Sequence, residues 1–193
     1  MTRPFRANTV TAEMEFFLPQ NDLRTALRAR TADSHGRLDR AVGLFDAIAP
    51  YKTYLQHTHA FRKGMEAELA TFEKWPVEQL ARLVGDDLAD LHTSPLAETS
   101  LGEIGQGDEH RLGMAYVLEG SGLGARLLVR RAAELGLTAS YGARHLAAQT
   151  DDPVRWRSFL ALLDTVPESQ FEGVLAGAEQ SFQFALSIYA VGR

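Results

Sequence analysis

From Tyr116 to Ala125 the chain reads YVLEGSGLGA, with three glycines (Gly120, Gly122 and Gly124) inside five residues. Each glycine in a helix interior costs about 0.8–1 kcal/mol relative to alanine, so three cost about 3 kcal/mol. A sequence that keeps them has a use for bare backbone. Three uses fit the local pattern. Gly120-x-Gly122-x-x-Ala125 matches a dinucleotide fingerprint, with MAYVL as the strand and ARLLVRRAAEL as the helix behind it. Gly120 and Gly124 are four apart, which suits close packing of two helices. A long helix bending at its glycines would also let bare backbone lie against a flat ligand.

Histidine is the other residue type with chemistry to offer, and there are six. His57 and His59 are two apart and so point to different sides of their helix. His92 falls at a helix end, His110 just before the glycine segment, and His145 in an irregular stretch; all five read as surface or capping residues. No Glu-x-x-His pair supports a di-iron bundle, and Ser121 lacks the histidine and aspartate partners of a serine hydrolase. His35 differs. It lies one residue beyond the row Leu27–Thr31–Ser34–Leu38, directed inward at the edge of an apolar face. There a neutral imidazole can bind iron through one nitrogen while the other meets an acceptor. Position alone favours a satisfied core-edge histidine. Taken with the glycine face on another helix, however, His35 brackets a haem with one protein axial ligand and one open face. That arrangement serves oxygen chemistry rather than electron transfer.

The elements that would position these residues are all helical. Asn21 or Asp22 caps a helix ending near Gly43, and Pro50 opens a second that Pro76 breaks. One or two short helices follow over 77–92, then a loop to Gly107, then the glycine-bearing helix to Gly136. Residues 137–152 read as irregular, with a helical turn near Arg144–Ala148. Asp151 or Asp152 caps a helix through Trp156 and Leu163, and Pro167 starts the last one. With no alternating strands, and no acidic residue about 20 positions past the glycines, the dinucleotide reading fails. Residues 1–20 read as a mobile arm and 21–193 as one all-α domain. The 193 residues carry a net charge of -5, no basic block and no cysteine. Nucleic acid is therefore an unsuitable main partner, and disulfide or thiolate chemistry is excluded. No apolar run reaches the roughly 18 residues of a membrane span and no secretory pattern opens the chain, so the expected location is the cytoplasm.

TADSHGRLD (Thr31–Asp39) and YVLEGSGLGA (Tyr116–Ala125) resemble the proximal and distal helix motifs of the bacterial haem oxygenases. GDDLADLH, YGARHLA, WRSF and FQFAL support the likeness in the same order, over about residues 22–190. The resemblance implies a helical bundle holding haem b between the proximal and distal helices. It makes His35 the proximal iron ligand, and it places Arg28 and Tyr116 near the haem propionates. Gly120, Ser121, Gly122 and Gly124 fall against the distal haem face, with Ser121, Gly120 and Gly124 at the catalytic side. Arg28 is seven residues before His35, two turns away on the same face. Some family members carry an aspartate where this chain has Ser121. The hydroxyl can orient water but cannot act as a carboxylate, and Glu119 is rotated about 100° away. The implied activity is cleavage of haem, at once cofactor and substrate, to biliverdin, carbon monoxide and ferrous iron. It consumes O2 and electrons from a ferredoxin or flavoprotein reductase, and a bilin-using photoreceptor is a candidate consumer of the product. A silent haem carrier or sensor of the same fold is the alternative.

Overall fold

The computed structural model describes residues 22–190 except 44, 98 and 100; the arm expected over 1–20 lies outside the described residues. Seven α-helices follow one another: α1 (Asp22–Val42), α2 (Ile48–Glu68), α3 (Ala81–Asp90), α4 (Asp108–Glu134), α5 (Arg144–Asp151), α6 (Arg155–Leu163) and α7 (Phe171–Ala190). Among the described residues there is no strand, only isolated bridges from Thr138 to Tyr141 and Gly142.

The helix ends follow from local chemistry. Gly43 (φ 64°) and Gly136 (φ 80°) take the left-handed conformation just after α1 and α4. At Gly136 the end is a Schellman motif. Leu137 N donates to Ala132 O (3.0 Å) and Gly136 N to Ala133 O (2.9 Å). His92 closes α3 the same way with φ 50°, unusual for a non-glycine. Asp152 Oδ1 accepts from Val154 N (2.9 Å) and Arg155 N (3.1 Å), starting α6. The segment expected to be irregular over 137–152 thus contains a full helix, α5. Its apolar content is short and its anchoring is polar, so hydrophobic periodicity gave little sign of it.

That anchoring joins two of the motif stretches. Asp87, fully buried on α3, accepts from Arg144 N (3.0 Å), His145 N (3.1 Å) and His145 Nδ1 (2.7 Å). Asp90 accepts from Gly142 N (2.8 Å) and pairs with Arg144. Helix α5 is therefore fixed on α3 and carries Gln149 across to α4.

Two apolar clusters flank α4. One unites Leu23 and Leu27 of α1, Met65 of α2 and Leu69 just after it, Leu112–Leu118 of α4, Phe159 of α6, and Val174, Ala178 and Phe182 of α7. The other gathers Phe45, Tyr51, Leu55, Val84, Leu88, Leu146, and Ala125 and Ala132 of α4. Helix α4 crosses from one to the other, and its glycines lie at the crossing. Its tightest helix contact is elsewhere. A Cβ on Gly113 would stand 1.9 Å from Val174 O, and one on Gly177 would stand 2.0 Å from His110 O. Backbone meets backbone there, and α4 and α7 can approach so closely only through glycine.

Candidate functional site

Between α1, α2, α4 and α7 lies an open, mainly apolar cleft of about 800 Å³, within the roughly 300–1,000 Å³ range of small-molecule and cofactor sites. Arg28, His35, Tyr116, Gly120, Ser121 and Gly124 all line it, so one surface collects residues from 28 to 124 in sequence. Gly122, expected beside them, faces α5 instead. A Cβ there would meet Gln149 at 3.6 Å, because two residues along a helix turn the side chain about 200°.

His35 stands on the α1 wall, 63% exposed, with its ring 5.9 Å from that of Phe182. Its Nδ1 is 3.0 Å from Asp39 Oδ2, one turn on. In the tautomer that carries its proton on Nδ1, that N–H donates to the carboxylate and Nε2 is left with a lone pair able to ligate a metal. On the opposite wall α4 runs unbroken through the glycines as an α-helix. A Cβ at Gly124 would meet nothing within 4 Å, and at Gly120 only Trp156 at 3.8 Å. Neither glycine makes a close helix contact, so packing does not account for them. They leave bare backbone facing open space, a slot for a flat molecule.

The cleft's hydroxyls are neutral donors. Burial pushes the Tyr54 phenol up to about 12, and burial raises Tyr116 too, partly offset by the Arg28 charge beside it. Neither is a tyrosinate ligand at neutral pH. Behind Tyr54 lies a buried chain. Its hydroxyl donates to His145 Nε2 (3.3 Å), while His145 Nδ1 donates to Asp87. His57, His110 and His145 are all buried, not surface residues. His57 packs on Tyr189 (4.4 Å between ring centres) and His110 bonds Gln180 (2.7 Å). Each sits on an inward helix face that its apolar neighbours define.

Glu119 points away from the cleft, as the 100° rotation requires. Arg155 grips it through Nε (2.8 Å) and Nη2 (2.7 Å), and Trp75 Nε1 donates to it (2.8 Å). The sequence reading missed Arg62. This arginine lies 7 residues from both Leu55 and Leu69 on the buried face of α2, with Glu66 one turn on. An i,i+4 ion pair on an apolar face was the available signal. Burial pulls the Arg62 pKa down, with Glu66 the largest opposing charge, though an arginine stays protonated. Gln149 turns its amide oxygen to this group, since a nitrogen there would face only donors. That oxygen accepts from Arg62 Nη2 (2.7 Å), Ser121 Oγ (2.7 Å) and Gly122 N (3.2 Å).

No family model matches the chain. Heme oxygenase PigA of Pseudomonas aeruginosa is 41% identical over 100 residues, which span half of this chain and half the length of that relative. A heme oxygenase of Xanthomonas campestris pv. campestris is 28% identical over 145 residues, covering 68% of this chain and 84% of that one. The fold matches a crystal structure of heme oxygenase from Neisseria meningitidis, determined with NO and CO bound. The TM-score is 0.72 and the identity 26%, over 88% of this chain and 90% of the other. In sequence and in fold the chain is similar to bacterial haem oxygenases. The likeness and the open cleft agree on architecture: an all-α haem oxygenase fold with α1 and α4 on opposite walls of the cleft. Among the described residues no helix is long and apolar enough to cross a membrane.

Proposed function

We propose that this chain is a haem oxygenase that opens haem to biliverdin. The observation that carries the reading is the opposition across one cleft of His35, its Nδ1 held by Asp39, and the bare backbone of Gly120 and Gly124. When bound, haem supplies both the iron that activates dioxygen and the ring that is cleaved, with carbon monoxide and ferrous iron released.

The protein's own part is positional. Asp39 fixes the tautomer and ring plane of His35 and raises the basicity of Nε2. The glycines keep the other face free of side chains, leaving room for a diatomic ligand. Apolar residues such as Leu123, Leu127 and Phe182 shape the slot and exclude water from most of a bound ring. Arg28 and Tyr116 supply a cation and a phenol at one edge, suited to carboxylates. Ser121 is less free than its sequence position suggests. Its one proton has two protein acceptors, Leu118 O (2.6 Å) and Gln149 Oε1 (2.7 Å), so it serves a distal water as acceptor rather than donor. Electrons come from outside, from a ferredoxin or flavoprotein reductase, and O2 is the co-substrate. The cytoplasm is the compartment that suits such a partner.

The test is haem titration of the full chain followed by turnover with a reductant and catalase. A Soret band and biliverdin are expected; a bound haem that is never opened would leave a carrier or sensor instead. His35→Ala should lose the imidazole signature and turnover together, with added imidazole restoring part of both. A wild-type spectrum from that variant would assign the iron to another residue.

A further inference from the structure

Arg62 is a buried charge in a place that packing alone would fill with an apolar side chain. It is 5% exposed, yet it lines the cleft beside Ser121. It also lines a small polar cavity of about 30 Å³ behind α4, lined as well by Glu78, Glu119, Asp152 and Arg155. That volume holds about one water. Taking a charge out of water costs several kcal/mol, so the site must hold it firmly. Nη2 donates to Gln149 Oε1 (2.7 Å) and to Ser121 Oγ (3.3 Å), and Nη1 lies 3.7 Å from Glu66 Oε1. Glu66, its counter-ion, does not line the cleft, so the pair turns its cationic end toward it. The Glu66 carboxylate also accepts from Leu80 N (2.9 Å) and Ala81 N (3.0 Å) at the start of α3. The guanidinium is therefore fixed on three sides, with its counter-ion set back from the cleft, on the α4 side across from His35.

We propose that Arg62 is a positioning residue of the distal side, whose fixed charge, held through Gln149 and Ser121, makes that side of the cleft a binding site for small anions. The inference rests on the haem-binding reading above. It assigns the positive field there to α2, since Ser121 spends its proton within the protein and Glu119 is committed to Arg155. The role is electrostatic, so it discriminates ligands by charge and not by size.

Azide and imidazole are titrated separately into the ferric haem-loaded full chain and followed by absorption. Arg62→Met should weaken azide by about tenfold or more, equivalent to about 1.4 kcal/mol. Imidazole, which is neutral, should shift by less than about threefold, a change of about 0.65 kcal/mol. Arg62→Lys should recover most of the azide affinity. If leaving Glu66 unpaired unfolds Arg62→Met, the double variant Arg62→Met/Glu66→Gln removes both charges and should show the same azide loss. Unchanged azide affinity, or equal weakening of azide and imidazole, would overturn the proposal while leaving haem binding intact. A wild-type chain that takes up no haem would sink the haem reading itself and this proposal with it.

Discussion

Arg28 and Tyr116 meet at one edge of the cleft although 88 positions separate them. Their proximity is electrostatic as well as geometric, because the Arg28 charge opposes the rise that burial imposes on the Tyr116 phenol. Tyr116 is held in place by packing on Trp156, ring centres 5.7 Å apart, whereas Arg28 is exposed. Solvent and salt therefore screen the arginine more. Arg28→Ala should weaken haem binding by about 1.5 kcal/mol, the low end for a charged hydrogen bond, and the loss should shrink as salt is raised. Titration at two ionic strengths checks this; a salt-independent effect, or none, would remove Arg28 from the propionate edge. The isomer composition of the biliverdin formed is a second readout, since the propionate contacts set the rotation of the ring.

At the scale of elements, α4 holds two kinds of glycine that alanine scanning should separate. Gly124 faces open space, so Gly124→Ala should leave the empty protein as stable or up to about 1 kcal/mol more so, while crowding the distal face and lowering biliverdin yield. Gly113→Ala places a methyl against the Val174 carbonyl, and separating α4 from α7 should cost about 1–3 kcal/mol whether or not haem is present. Melting temperature and product yield, measured on both variants, check the pair. Equal destabilisation by the two would mean that Gly124 is a packing residue after all. The difference in legibility has a physical cause. Three glycines in five residues are a conspicuous cost to a helix and ask for an explanation, whereas Gly113 stands alone and Gly177 is only one turn from Gly173, and both become meaningful only once two distant segments cross. The helices themselves were readable because prolines and caps mark their ends. Helix α5 and the buried histidines were not, since Asp87, Arg144 and His145 are defined by pairing across 58 positions or fewer, not by period. His35 and the glycine face were legible as a pair; Arg62 needed the fold to show that α2 turns it toward Ser121.

The whole molecule should be sensitive to acid before its carboxylates titrate. Burial lowers the pKa values of His57, His59 and His145 below the ordinary histidine value. The unfolded chain takes up these protons near pH 6.5 while the folded chain resists, so it binds more protons and stability falls as pH drops. The contribution is fully present above about pH 6.5 and is lost progressively toward the lowered folded values. Asp87 acts later. Burial would raise it, but the hydrogen bonds from His145 and Arg144 outweigh that and hold it low, so its share goes only below the carboxylate range. Urea midpoints of the haem-free protein should be flat from pH 8 to about 7 and decline by pH 5.5; a flat profile throughout would mean that these histidines protonate in place. The cleft has a consequence of another kind. Leu123 and Leu127 are 50% and 49% exposed where they line the cleft, a greasy strip open to solvent. If haem fills the cleft as proposed it covers this strip, so the haem-free protein should self-associate more readily than the loaded one, a difference that sedimentation of both would show. On that reading cargo doubles as a dispersant, with the net charge of -5 working in the same direction.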